Sequence, residues 1–173
     1  KNAEKQAGIS GKIAKLTKSA KIIFLAGHKE PDGDSLGSML ALGLALKEQK
    51  RQAFFISSGP IPKKFSFLPE IWQIRPLQMQ NMPQPDLIFC LDFGDSKRID
   101  LTNLASFPQN RIICIDHHPL TEKISDNSII DPQASSTCEI ISLIFQKLNW
   151  PVNKDIALCL LTGILTDTKS FCY

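Results

Sequence analysis

Short apolar runs of strand length alternate along the chain with longer stretches of helical periodicity. Runs that are apolar throughout are typical of strands buried on both faces of a parallel sheet. We therefore predict an α/β fold with a doubly wound, mostly parallel sheet and helices on both faces. The predicted strands are residues 21–27, 52–57, 86–93, 111–116 and 128–130, and the predicted helices are residues 9–20, a helix from residue 35, and residues 98–104, 136–148 and 154–165.

Two of these helices carry local signals. The helix from residue 35 is rich in small residues, among them Gly37, Ala41 and Gly43, which allow close packing on a sheet. The helix at 136–148 opens with Ser136 and has Glu139 three residues later, which is the capping-box pattern. We expect the helix at 136–148 to begin at this cap.

Composition excludes several classes of protein. A chain of 173 residues can bury a core without disulfides or a structural metal. Its net charge of +3, from 20 Lys and Arg against 17 Asp and Glu, is too small to favour long nucleic acid or an anionic membrane. No apolar run approaches the ~20 residues that span a bilayer. The five cysteines are widely spaced and lie mostly in apolar runs, so we predict reduced thiols in a cytoplasmic protein.

The three histidines of the chain all follow predicted strands directly. His28 comes after the first strand, with Asp32 and Asp34 close behind it, and His117 and His118 come after the fourth strand. In an open α/β sheet, ligands bind in the crevice at the carboxyl ends of the strands. We therefore expect these side chains to converge on one site. Neither a P-loop nor a G-x-G-x-x-G motif occurs, which argues against a triphosphate or dinucleotide cofactor.

Further aspartates extend this group. Asp92 follows the third strand, and Asp167 is a further candidate near the end of the last helix. Four carboxylates in one crevice repel one another, and two divalent cations neutralise them. Oxygen and imidazole ligands without cysteine favour Mn²⁺ or Mg²⁺, or a borderline ion such as Co²⁺. The predicted ligands of the two ions are His28, Asp32, Asp34, Asp92, His117 and Asp167.

Several of these residues also have ordinary structural interpretations. Any one aspartate taken singly is more typical of a turn or helix cap, as Asp32 is before a helix. Asp116 suits the acceptor of a hydrogen bond from an imidazole better than a metal ligand. Arg98 fits a phosphate-binding role and a solvated position equally well. Residues 135–137 could bind phosphate at a helix N-terminus, but the capping role already accounts for Ser136.

Four motifs in order, GHKEPDGDSLGS, LDFGD, IDHHP and GILTDTKSF, resemble those of the DHH phosphoesterases and extend from residue 28 to 171. They are most similar to the oligoribonuclease and PAP-phosphatase (NrnA-type) branch. Enzymes of that branch cleave short oligonucleotides, 3′-phosphoadenosine 5′-phosphate (PAP) and linear or cyclic di-adenylate. The resemblance implies that residues 1–173 are the DHH catalytic domain of a longer protein. The family's C-terminal substrate-binding domain is then expected outside this chain.

The resemblance also implies roles for individual residues. The centre would hold two Mn²⁺ ions, with Asp92 bridging them, and His118 would face the scissile phosphate. His118 and Asp116 are thus the predicted catalytic residues. One ion would be held by His28 and Asp32, and the other by Asp34, His117 and Asp167.

The chain departs from the family pattern at two positions. Lys169 stands where the family usually has Gly, and Cys172 stands where it usually has Arg. A lysine in place of that glycine must either adopt a backbone conformation that a β-carbon allows or carry strain. The missing arginine removes a cation near the substrate.

We therefore predict a metal-dependent phosphoesterase that hydrolyses short nucleotides through attack of a hydroxide activated by two ions. One alternative is an inorganic pyrophosphatase of the same superfamily. The other is a non-catalytic nucleotide-binding module, supported only by the departures at Lys169 and Cys172. The expected partners are short nucleotides or small phosphorylated nucleotides, not long nucleic acid or membrane, and a homodimer is left open.

Overall fold

The structure is a computed structural model that describes residues 2–57, 59–76, 82–95, 107–119 and 125–172, with side chains from residue 11 onward. Five parallel strands form one sheet. They are β1 (Ile22–Ala26), β2 (Gln52–Ile56), β3 (Leu87–Leu91), β4 (Ile112–Asp116) and β5 (Asn127–Ile130). The α-helices are α1 (Asn2–Ser19), α2 (Gly33–Glu48), α3 (Thr137–Leu148) and α4 (Lys154–Asp167). The predicted doubly wound α/β fold is confirmed.

Alternate residues of each strand enter two separate cores, because successive side chains point to opposite faces of a sheet. Leu25 and Phe89 belong to the larger core, which also contains the apolar side chains of the α-helices. Phe24, Ile88 and Cys114 belong to a smaller core on the opposite face. Burial on both faces explains why β3 and β4 are apolar along almost their whole length.

The strand order β2-β1-β3-β4-β5 places the switch point of the sheet between β1 and β3. From β1 the chain passes first to one side, to β2, and then to the other side, through β3 to β5. Ligand sites of doubly wound sheets lie outside the carboxyl ends of the strands at this point. His28 follows β1 and Asp92 follows β3, so two of the predicted site residues flank it.

Helix boundaries differ from the prediction in two places. Helix α1 begins at Asn2 rather than at residue 9, because its first residues are polar helix formers that carry no apolar stripe. Helix α2 begins at Gly33, because Asp32 caps it. The helix predicted at 98–104 lies outside the described residues. None of the helices in the described ranges is both long enough and apolar enough to cross a bilayer.

Helices α2 and α4 approach each other closely through glycine. A β-carbon on Gly37 would lie 2.4 Å from the carbonyl oxygen of Cys159 in α4. A β-carbon on Gly33 would lie 2.3 Å from Thr166 Oγ1. These contacts are closer than real β-carbons allow, so only glycine permits this helix separation. The separation matters for the site because α2 carries Asp34 near its start and α4 ends at Asp167.

We expect Gly37→Ala to lower the free energy of unfolding by about 1–3 kcal/mol, because its methyl group would meet a backbone carbonyl that moves only with α4. Gly11→Ala is the matched control, since no atom lies within 4 Å of its added β-carbon. Helix propensity should make that change stabilising by up to about 1 kcal/mol. Urea denaturation measures both. Equal midpoints for Gly37→Ala and the wild type would show that the two helices separate without cost.

Candidate metal centre

The six predicted metal ligands lie together at the carboxyl edge of the sheet. They come from the ends of β1, β3 and β4, from the start of α2 and from the end of α4, so the fold assembles residues that are up to 139 positions apart. Asp116 and His118 border the same group. The assembled residues are His28, Asp32, Asp34, Asp92, Asp116, His117, His118 and Asp167.

The first cluster consists of His28, Asp32 and Asp92. His28 Nε2 lies 3.7 Å from Asp32 Oδ2 and 3.7 Å from Asp92 Oδ2. Asp32 also caps α2, because its other oxygen, Oδ1, accepts hydrogen bonds from the backbone N–H groups of Asp34 and Ser35. Asp32 thus caps α2 with Oδ1 and faces His28 with Oδ2.

The second cluster consists of Asp34, His117 and Asp167. His117 Nε2 lies 3.0 Å from Asp167 Oδ2 and 3.9 Å from Asp34 Oδ2. The same nitrogen is 3.8 Å from Asp92 Oδ1. Asp92 therefore faces the first cluster with Oδ2 and the second with Oδ1. The ligand atoms within each cluster lie within 4.8 Å of one another, a spacing at which they could hold a metal ion.

His117 Nε2 is a buried ring nitrogen without a hydrogen-bond partner among the described residues. Although Asp167 Oδ2 is 3.0 Å away, the two groups lack the alignment of a hydrogen bond. Asp167 raises the pKa of His117, while burial acts in the opposite direction. A buried nitrogen lone pair among carboxylate oxygens is the donor set that a divalent ion uses, so these residues fit a metal.

Asp34 is fully buried, and the first turn of α3 holds it in place. The backbone N–H of Thr137 donates to Asp34 Oδ2 at 2.6 Å, and that of Cys138 donates to Oδ1 at 2.9 Å. Burial raises the pKa of Asp34, and these backbone donors offset part of that effect. The carboxylate is thus oriented by the N-terminus of a helix, where its negative charge is favoured.

Asp92 is buried between the two clusters and has a left-handed backbone, with φ of 50°. Aspartate tolerates this conformation better than most residues do. Burial raises its pKa well above the usual range, and the charges of Asp34 and Asp32 raise it further. The Thr137 hydroxyl donates to Asp92 Oδ1 at 3.2 Å. The metal-free site therefore holds Asp92 in a position that disfavours its charge.

Asp116 is buried too, but its environment favours the charged form. Its Oδ2 accepts hydrogen bonds from the backbone N–H groups of Phe93 and Gly94, at 2.9 and 2.7 Å. Its Oδ1 accepts from the backbone N–H of His118 at 2.9 Å and lies 2.8 Å from His118 Nδ1. Burial alone would raise the pKa of Asp116, but these donors lower it overall. Asp116 therefore orients the His118 ring.

Two sequence-based expectations have different outcomes. Arg98 lies outside the described residues. Lys169 adopts a left-handed conformation with φ of 48°, and Ser170 and Phe171 follow it with φ of 57° and 60°. Lys169 therefore adopts the left-handed conformation that glycine favours, and a residue with a β-carbon carries strain there.

Sequence reasoning considered Thr137 only among residues 135–137, as a possible phosphate contact at a helix N-terminus, and missed its contacts with the site aspartates. Its position beside Ser136 suggested a capping role, and Ser136 does cap α3 by accepting from the backbone N–H of Glu139. Thr137 instead contacts Asp34 and Asp92. The available signal was that α3 follows the edge strand β5, so its N-terminus faces the same edge of the sheet as the histidines.

The protein is therefore an α/β protein with a parallel sheet. Histidine and aspartate clusters at the switch point of this sheet could hold metal ions. A sequence model described as "DHH family, N-terminal domain" matches residues 22–164. The chain belongs to this DHH family.

Relatives and a solved structure agree with this assignment. The chain is 30% identical, over 86% of its length and 44% of the relative's, to the bifunctional oligoribonuclease and PAP phosphatase NrnA of Thermus thermophilus. It is 28% identical to the cyclic-di-AMP phosphodiesterase PdeA of Listeria monocytogenes, over 94% of the chain and 27% of PdeA. A crystal structure of an exopolyphosphatase-related protein from Bacteroides fragilis matches 96% of the chain and 52% of that protein with a TM-score of 0.89 and 29% identity. The chain spans about half the length of these relatives or less.

Removal of the negative charge is expected to have opposite effects on stability at Asp92 and at Asp116. In metal-free protein at pH 7, we expect Asp92→Asn to raise the melting temperature by at least about 2 °C. Burial raises the pKa of Asp92, which means that its negative charge destabilises the folded state relative to the unfolded state. Asp116→Asn, the control, should cost about 1–3 kcal/mol, since its amide cannot accept all of the donors on the carboxylate.

Acidification separates the two effects further. The gain from Asp92→Asn should shrink as pH falls from 7 towards the usual carboxyl pKa of 3.8, because folded wild-type Asp92 takes up its proton first. The loss from Asp116→Asn should persist to that pH and disappear only below it, where folded Asp116 is protonated. Thermal melts at several pH values measure both, and a destabilising Asp92→Asn would contradict the electrostatic account.

Proposed function

We propose that the protein hydrolyses phosphoester bonds of short nucleotides with two bound divalent ions. The observation that carries this proposal is the pair of histidine and aspartate clusters that share Asp92, one on each of its oxygens. Two-metal phosphoryl-transfer sites place their ions about 3.5–4 Å apart, a distance that a bridging carboxylate spans. The family and the names of the relatives support the same chemistry.

Each cluster would hold one ion, with Asp92 shared between them. When bound, such ions lower the pKa of water and stabilise charge on phosphoryl oxygens. The oxygen and imidazole donors favour Mn²⁺, with Mg²⁺ and Co²⁺ also compatible. The proposed ligands are His28 and Asp32 for the first ion, Asp34, His117 and Asp167 for the second, and Asp92 for both.

His118 is proposed to contact the substrate phosphate rather than a metal. Its Nδ1 is engaged by Asp116 at 2.8 Å, so the ring presents Nε2 as its other polar atom. Its side chain is 41% exposed, against 15% for His117, which places it at the accessible side of the site. When the ring is protonated, Nδ1–H donates to Asp116 and Nε2–H can donate its proton to a phosphoryl or leaving oxygen.

The proposed substrates are short because the protein offers few cations for a long strand. Counterion-release binding needs many Lys and Arg contacts along a track, whereas this chain has a net charge of +3 and an acidic site. Affinity should therefore come from the two ions and from contacts to one or two phosphates. The names of NrnA and PdeA, which refer to oligoribonuclease, PAP and cyclic-di-AMP, support this size class.

All five cysteines are free thiols, and four of them are buried. Free thiols persist in a reducing compartment. We therefore propose that the protein acts in the cytoplasm.

The first test separates the two adjacent histidines. We expect His118→Ala to lower kcat by about 100-fold or more, as for loss of a proton donor, while the chain retains two Mn²⁺ ions. His117→Ala, the matched control, should lose one of the two ions. Metal analysis after gel filtration, beside steady-state kinetics, measures both properties. If His118→Ala loses an ion and His117→Ala keeps both, the two roles are reversed.

The second test concerns substrate size. With Mn²⁺, we expect kcat/KM to be higher for substrates of about two to five nucleotides than for longer strands. Its logarithm should fall with the logarithm of salt concentration with a slope of about −1.4, two phosphates at about 0.7 each. Reactions run with protein in excess over substrate allow slow hydrolysis of weakly bound substrates to be detected. The Asp92→Asn chain serves as the inactive control.

The other outcomes of this experiment identify the competing functions. Efficiency that climbs with strand length and collapses in salt would indicate a processive single-strand exonuclease. Fastest hydrolysis of pyrophosphate or polyphosphate would indicate an inorganic substrate, a comparison made pertinent by the exopolyphosphatase-related structure. Measurable nucleotide binding with two bound ions, but no hydrolysis of these substrates, PAP or di-adenylate, would indicate a nucleotide-binding module.

A further inference from the structure

Thr137, the first residue of α3, contacts two buried aspartates, Asp34 and Asp92. Its backbone N–H donates to Asp34 Oδ2 at 2.6 Å, and its hydroxyl donates to Asp92 Oδ1 at 3.2 Å. The residue is itself fully buried. Its partners lie 103 and 45 residues away along the chain, so neither contact is a by-product of local helix geometry.

The two contacts share a direction. Asp34 Oδ2 and Asp92 Oδ1 are the oxygens that face His117 Nε2, at 3.9 and 3.8 Å. The other oxygen of Asp92, Oδ2, faces His28 in the first cluster, and the hydrogen bond of the Thr137 hydroxyl goes to Oδ1 rather than to it. Thr137 therefore acts on the oxygens of the second cluster alone.

We propose that Thr137 is a positioning residue for the second ion, and that its hydroxyl orients the shared Asp92 towards that ion. The inference rests on the proposed two-metal function. A hydrogen-bond donor behind a metal-ligating carboxylate fixes its orientation, and loss of such a donor typically weakens metal binding by 10- to 100-fold. Because the hydroxyl reaches only Asp92 Oδ1, its loss should weaken one ion and leave the other unchanged.

Two substitutions separate the hydroxyl from the shape of the side chain. Thr137→Val has nearly the same volume and keeps the backbone N–H to Asp34, but it removes the donor to Asp92. Thr137→Ser keeps a hydroxyl and removes only the methyl group. If Thr137→Val fails to fold, as shown by the thermal melt of the metal-free chain, Thr137→Ala replaces it.

The experiment is calorimetric titration of metal-free protein with Mn²⁺, beside electron paramagnetic resonance of the spin-coupled Mn²⁺ pair. His28→Ala and Asp167→Asn serve as reference variants that identify which binding step belongs to which cluster. We expect Thr137→Val to weaken the step of the second cluster by about 10- to 100-fold and to leave the first within twofold. Thr137→Ser should restore the wild-type affinity.

Each other result overturns the inference. Equal weakening of both steps would assign Thr137 a general structural role, and unchanged affinities would show that its hydroxyl does not position Asp92. A Ser variant that behaves like Val would assign the effect to packing. Wild-type protein that binds fewer than two ions would instead refute the proposed function, and the role of Thr137 would fall with it.

Discussion

The burial of Asp34 and Asp92 side by side is the constraint on which the rest of the site depends. Two carboxylates removed from water and placed beside further acidic groups favour their protonated forms, which is why their pKa values are raised. Such an arrangement destabilises a metal-free fold, so surrounding structure must hold it in place. The same crowding suits the site to a cation, because a divalent ion would reduce the repulsion between the carboxylates.

Backbone atoms and close contacts between helices hold the carboxylates of Asp34 and Asp92 in place. Asp34 receives two N–H donors from the start of α3, where the helix dipole favours negative charge. Its helix, α2, lies against α4 at a distance that only glycine permits at Gly37. Asp92 stands on a left-handed backbone at the end of β3. Rigid elements thus fix the carboxylates before any ligand arrives, which is the preorganisation that metal sites need.

Aspartates of one site differ in role because their donors differ. Asp116 accepts four hydrogen bonds, its pKa is lowered, and it orients His118. Asp92 accepts a hydroxyl on one oxygen and faces ring nitrogens on both, and its pKa is raised. A carboxylate that already accepts several hydrogen bonds suits the role of an anchor, whereas one whose charge is unfavourable suits the role of a cation ligand. Local hydrogen bonding, rather than residue type, makes this distinction.

The sequence by itself determined the fold class and the convergence of the histidines and aspartates at one edge of the sheet. Apolar runs of strand length predict a buried parallel sheet, and parallel strands end at one edge, so His28, Asp92 and His117 had to converge. Only the tertiary structure decided how each oxygen is used. Asp32 divides its oxygens between a helix cap and the first cluster, and Thr137 reaches Asp92 across 45 residues of chain. Such contacts depend on distances of a few ångströms between elements that are remote in sequence, and residue patterns along one chain do not encode those distances.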